Sequence, residues 1–123
     1  MILRSLFLAA AFLAAPALAA DNWVAYGQSD AGTFYFDPGT VRTEAGRKQV
    51  WRLFELKEAR GDGVRSGKAL VELDCKGSRF RYLRTMYYAG PMGRGKYLGG
   101  AQAQPTEPIG PGSTIGALAQ KVC

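Results

Sequence analysis

From Lys68 to Met86 apolar and charged residues alternate almost without a break, interrupted once by Gly77-Ser78. A spacing of two fits a strand, whose successive side chains point to opposite faces, and does not fit a helix, which needs a period near 3.6. Glycine followed by serine suits a two-residue type II′ turn, so the stretch reads as a β-hairpin. In that register Lys76 faces Arg79, Cys75 faces Phe80, Asp74 faces Arg81, Leu73 faces Tyr82 and Val71 faces Arg84. Ala69, Val71, Leu73, Cys75, Phe80, Tyr82 and Met86 then share a core-side face, and Lys68, Glu72, Asp74, Lys76, Arg79 and Arg81 share the other. Arg84 falls on the apolar face and Leu70 and Leu83 on the polar one, so the separation is imperfect.

The rest of the chain repeats the theme. Trp23 to Gly27 and Thr33 to Asp37 read as short strands joined through Ser29-Asp30-Ala31-Gly32, and Asp37-Pro38-Gly39 turns the chain. A long apolar-aromatic strand, QVWRLFELKE, spans Gln49 to Glu58, and a last strand is expected near Lys96 to Leu98. Helical spacing occurs only at the end, where Ile115, Leu118, Ala119 and Val122 fall on one stripe after Ser113, a good N-cap. So short a helix, with Gly116 inside it, is unstable alone and must be held by packing on the sheet. The expected fold is α+β, mainly β: an antiparallel sheet of about six strands with a short C-terminal helix on one face.

The opening residues, MILRSLFLAAAFLAAPALAA, combine one cation, an apolar run and the small-residue triplet Ala17-Leu18-Ala19. That pattern is a secretory signal cut after Ala19, and Pro16 interrupts an apolar run already too short to span a bilayer. Residues 1–19 are therefore expected to be a signal peptide and 20–123 a single domain. No cysteine stands at the cleavage site, so no lipid anchor is expected. A domain of this size has a modest core, and exported domains often supplement one with a disulfide. Cys75 and Cys123 are the only cysteines, and a bond between them would clamp the helix onto the sheet. The competing reading, a reactive thiol, lacks a base because the chain contains no histidine.

That absence also removes the commonest metal ligand, and no cofactor is expected. Glu72 and Asp74 are explained more simply by a cross-strand ion pair from Asp74 to Arg81 than by a pair of catalytic carboxylates. GPMGRGK, residues 90–96, has phosphate-loop spacing, but Tyr97 stands where Ser or Thr is needed and no helix follows. What remains is charge. Sixteen Lys plus Arg oppose ten Asp plus Glu, and Lys76, Arg79, Arg81, Arg84, Arg94 and Lys96 lie in a stretch without an acid. Lys76, Arg79, Arg81, Arg94 and Lys96 are thus the candidate binding surface, with Phe80, Tyr82, Tyr87, Tyr88 and Tyr97 as interleaved aromatics. Export makes nucleic acid an improbable partner and favours proteins or anionic glycans.

With those residues in place, the chain resembles the surface-adhesin protein E family of Gram-negative bacteria. The likeness is carried by YFDPGTVR, VWRLFELKE, SGKALVELDCKGSRFRYLRTMYY and PGSTIGALAQKVC, in that order. It implies an antiparallel sheet whose C-terminal helix is tethered by a disulfide, which maps onto Cys75 and Cys123. It also implies a cell-envelope or secreted location and self-association into a homodimer, the founding member being a surface lipoprotein that binds host matrix proteins. The expectation is a non-enzymatic, exported, adhesin-like binding domain that contacts an extracellular matrix or envelope protein, or an anionic glycan, through its sheet or basic face. An inhibitor of a lysozyme-type envelope enzyme, with Gly90 to Gly100 as the plug, is the alternative.

Overall fold

The computed structural model describes residues 22–123; the expected signal, 1–19, lies outside them. Strands β1 (Val24–Gln28), β2 (Gly32–Phe36), β3 (Arg42–Glu44), β4 (Arg47–Leu56), β5 (Ser66–Asp74), β6 (Arg79–Tyr88), β7 (Tyr97–Ala101) and β8 (Glu107–Pro108) precede helix α1 (Thr114–Val122). The six longer strands form one antiparallel path, β1-β2-β4-β5-β6-β7; β3 extends the edge along β4, and β8 along β6. The α+β, mainly β architecture is therefore the one the alternation implies, with two short edge strands added.

The local chemistry of the chain builds the elements. Asp37 is buried and accepts Gly39 N–H at 2.8 Å and Asn22 N–H at 3.2 Å, fixing the Asp-Pro-Gly turn between β2 and β3. Ser113 caps α1, accepting Gly116 N–H at 3.0 Å and donating to Gly110 O at 2.6 Å. Ile115 and Leu118 of the helix are buried against Phe36, Val50, Val71 and Leu73, with Ala119 and Val122 packed beside them. Cys123, just past the helix, is bonded to Cys75, with Cα atoms 5.8 Å apart.

The hairpin register differs from the expected one. Asp74 pairs with Arg79, Leu73 with Phe80 and Glu72 with Arg81, a shift of two residues that leaves every face unchanged. The connection is consequently a four-residue loop, Cys75 to Ser78, in which Ser78 and not Gly77 is left-handed (φ 54°). Its cause is the Asp74 carboxylate, which accepts Gly77 N–H at 3.0 Å and holds a wider turn than glycine alone would make. Cys75 thus leaves the ladder and can meet Cys123.

A second departure lies between Leu70 and Val71, where the register slips by one because Leu83 is an extra residue in β6. A one-residue bulge reverses every later side chain. Arg84 and Met86 therefore lie on the face away from the helix, with Leu70 and Lys68, while Thr85 and Tyr87 lie on the helix side. The misplaced Arg84 of the alternation pattern is resolved by this bulge, and the expected core position of Met86 is corrected by it.

The face away from the helix has its own small core at one end. The 91–93 turn folds back on it, with Ser66 Oγ donating to Gly90 O at 2.6 Å and accepting Gly93 N–H at 2.8 Å, and Glu55 accepting Met92 N–H at 3.0 Å. Gly93 (φ 70°) has room for no side chain, because a Cβ would meet Lys68 and Leu53. Leu53 and Ser66 are both fully buried beneath this turn.

Candidate binding surface

Alternation and register together decide where the predicted cations go. Arg79, Arg81 and Arg84 line the face of β6 away from the helix, and Lys76 sits exposed in the adjoining loop. Arg94 and Lys96 lie in the connection between β6 and β7, at the far end of a ten-residue strand. At roughly 3.3 Å per residue Arg79 stands about 30 Å from the start of that connection and Arg84 about 13 Å. The run of six cations in the sequence is thus two clusters in space.

The first cluster is enlarged by residues that the sequence reading did not name. Arg47 of β4 aligns with Asp74 and Arg79, and these three border a shallow cavity with Glu72, Phe80 and Thr106. Arg81 Nε donates to Glu72 Oε1 at 2.9 Å, so Glu72 and not Asp74 is its partner. One turn of the pleat further along lie Trp51 and Leu70, cross-strand neighbours that are only partly buried, followed by exposed Arg84. With Arg42 and Glu44 of β3 on the same side, five guanidiniums stand against three carboxylates on the face that carries this apolar pair, and it stays net cationic. The signal for Arg47 and Trp51 lay in β4, but only the pairing of three strands brings them beside Arg79 and Arg84.

The aromatics divide between the faces. Phe80 and Tyr82 pack edge-on, 5.5 Å apart, against the helix-side core. Tyr87 packs on Phe54 on that same side. Tyr88 and Tyr97 meet at 5.8 Å on the opposite side, where Lys68 lies 5.3 Å from the Tyr88 ring. Only Tyr88 and Tyr97 therefore share a face with the cations. The loop from Gly90 to Gly100 does not project as a plug, since its own Gly93 is buried, its first residues are pinned to Ser66 and Glu55, and its last ones pair with β6 as β7.

One further cation escaped the sequence reading. Arg52 sits in β4 in phase with Val50 and Phe54, on the core side, and is only 9% exposed. Its guanidinium lies 5.0 Å from the Tyr82 ring centre, 5.8 Å from Phe34 and 5.9 Å from Phe54, and Nη2 donates to Tyr82 Oη at 2.9 Å. Arg52 Nε and Tyr26 Oη are buried with no partner in close hydrogen-bond geometry, although the Arg52 guanidinium lies near enough to the phenol to act on it. Burial holds the Tyr26 phenol above its usual range, and the neighbouring guanidinium opposes that shift without cancelling it. A charge at an in-phase position of an apolar strand was the signal available in QVWRLFELKE.

Among the described residues no group of His, Cys, Asp or Glu is arranged to hold a metal ion, and no helix is long and apolar enough to cross a membrane. No curated protein sequence matches the chain. Solved structures do. Protein E of Haemophilus influenzae superposes with a TM-score of 0.67 at 17% identity, covering 90% of both chains. A second crystal form of it gives 0.68 at 18% identity, over 93% of this chain and 96% of that one. The structure of protein E from a non-typeable strain gives 0.62 at 17%, over 88% and 79%. At such identities the likeness establishes a shared fold, but the family model for surface-adhesin protein E matches residues 23–123, from the residue before β1 through the bonded terminal cysteine. On that match over nearly all of the described chain, the protein belongs to the surface-adhesin protein E family.

Proposed function

We propose that the chain is an exported, non-enzymatic binding domain that works in the cell envelope or at the cell surface after loss of residues 1–19. Its ligand surface is the sheet face bearing Trp51 and Leu70 with Arg47, Arg79, Arg81 and Arg84. The observation that carries this reading is the bulge at Leu83, which turns Arg84 onto the same face as Arg79 and Arg81 and sets all three around a partly exposed apolar pair. An apolar centre with a cationic rim suits an acidic segment of a matrix or envelope protein, the rim steering encounter and the centre supplying contact area. An anionic glycan would use the rim alone.

The test separates the two cation clusters. Reversing Arg79 and Arg84 to glutamate should abolish retention on immobilised matrix protein and on heparin, whereas reversing Arg94 and Lys96 should leave it intact. Retention by the first variant equal to the wild type overturns the assignment. Trp51→Ala distinguishes the ligand class, weakening protein binding while sparing heparin. Sedimentation of the same samples at micromolar concentration shows whether a second copy of the chain competes for the face.

A further inference from the structure

At the end of β7 the sheet opens. Thr85 pairs with Ala101, the last residue of that strand, and the next bond on this side of β6 runs from Gln104 N–H to Tyr82 O at 2.9 Å. Between the two, Leu83 and Arg84 pair with no residue of β7 or β8. The gap is an open hollow of about 400 Å³, bordered by Leu83, Arg84, Thr85, Tyr97, Gly100 and Gln102. Its floor is bare, because a Cβ on Gly100 would meet the Thr85 carbonyl and stand 3.0 Å from the Tyr97 hydroxyl. Tyr97 thus lies along the strand over Gly100, and Tyr88 packs edge-on against its ring at 5.8 Å. At 55% exposure Tyr97 is the most open of the large hydrophobic side chains among the described residues. Arg84, exposed on the rim, forms no ion pair with any described residue. Gln102 is exposed beside it; its backbone carbonyl accepts Gln104 Nε2 at 2.9 Å, which leaves the side-chain amide free.

We propose that this hollow binds one carboxylated sugar ring, a hexuronate, stacked on the outward face of Tyr97 with its carboxylate on Arg84. Three kinds of group that such a ring needs together meet here. One face of a pyranose is a set of C–H bonds, which packs on an aromatic ring, and a ring already fixed by Tyr88 costs little to order. The sugar hydroxyls both donate and accept, and their partners are of the same neutral kind: the Gln102 amide, the Tyr97 hydroxyl and the peptide groups of Leu83 and Arg84 that face no strand. The carboxylate carries the charge, and an unpaired guanidinium matches its two oxygens side-on. The volume is at the small end of ligand sites, which suits one ring and not a folded segment. A sulfated polymer held by charge along the sheet would need neither the tyrosine ring nor the amide. The site shares Arg84 with the surface proposed above and otherwise uses residues on which that reading does not depend.

The probe is methyl β-glucuronide, with methyl β-glucoside as its neutral control, titrated into the oxidised protein and followed by amide chemical shifts. At ordinary ligand efficiency a molecule of this size binds with a Kd of roughly 1 mM. Expected are saturable shifts at Leu83 to Thr85 and Tyr97 to Gln102 with the glucuronide, and binding of the glucoside at least about tenfold weaker, as loss of a hydrogen bond to a charged group implies. Free glucuronate in a parallel titration stands for a soluble sugar acid and the methyl glycoside for a glycan residue, so the tighter of the two names the source. Tyr97→Ala should abolish the saturable shifts, whereas Tyr97→Phe, which keeps the ring, should bind to within about fivefold of the wild type. Arg84→Gln should remove the preference for the glucuronide over the glucoside. Gln102→Ala, at an exposed position outside the strands, should weaken binding several-fold and keeps the test valid if Tyr97→Ala disturbs β7. No saturable shift with the glucuronide well above that Kd, an equal response to the glucoside, or unchanged binding by both Tyr97→Ala and Gln102→Ala overturns the proposal. Shifts that centre instead on Trp51 and Arg79 also overturn it, since they would put the anion on the neighbouring face.

Discussion

At Ala45 the chain adopts a left-handed backbone (φ 51°), followed by Gly46 (φ 78°), and the pair makes the two-residue turn between β3 and β4. Both central positions of such a turn have positive φ, which alanine tolerates at a cost of roughly 1 kcal/mol and asparagine tolerates better. Ala45→Asn is expected to stabilise the domain by about 0.5–1 kcal/mol, read as a rise of a few degrees in Tm. Tyr26 gives a prediction of the opposite sign. Its buried phenol holds its proton above the ordinary value near 10, so both folded and unfolded chains are protonated below that pH and stability is intact there. As pH rises past about 10 the unfolded chain loses the proton first, and stability falls through the interval up to the folded value. Tyr26→Phe should flatten the decline of Tm between about pH 9 and 11 relative to the wild type. An unchanged slope would mean that the phenol is not sealed as the packing of Phe34 and Phe36 around it indicates.

The six longer strands were legible in the sequence because alternation is a local signal, while the short β3 and β8 were not, and α1 was legible because its stripe and Ser113 cap identify it without reference to any partner. Two features of β6 were not. The four-residue loop depends on a side chain, Asp74, reaching the backbone three residues on, which competes with the turn that Gly77-Ser78 favours. The bulge depends on which residues of β5 are opposite, and no pattern within β6 alone marks Leu83 as unpaired. Arg84 on the apolar face was its trace. Removing the bulge makes a sharp prediction: deletion of Leu83 leaves β6 in continuous register with every other pairing and face kept, including the Phe54–Tyr87 and Tyr88–Tyr97 packings. The deletion variant should keep a cooperative thermal transition, whereas insertion of one residue elsewhere in β6, which reverses the faces beyond it, should abolish it. Loss of the transition on deletion would mean that the pairing of β6 with β5 depends on the extra residue.

On the scale of the whole molecule, one sheet carries two unlike cores fastened by different means. The helix side is closed by α1 and the Cys75–Cys123 bond; the other by a turn hung on Ser66. Two cysteines, one of them terminal, made the first fastening readable from the sequence. The second was not, because serine in a strand gives no sign that it will bind Gly90 and Gly93, more than twenty residues away. Each can be cut alone. Replacing both cysteines by alanine frees a loop spanning 48 residues of separation and should cost up to about 4 kcal/mol in the loop-entropy account. Ser66→Ala strips the partly buried Gly90 carbonyl and the buried Gly93 amide of their common partner, at about 1–3 kcal/mol. A sheet separates the two fastenings, and they share no side chain, so their effects should add to within about 0.5 kcal/mol in denaturant titrations of the single and combined variants. Coupling well above that would show that the sheet transmits strain between its faces. A ligand held on the Trp51 side would then alter the packing around Arg52 on the other face. Additivity leaves the two faces independent, as a rigid partition between them requires.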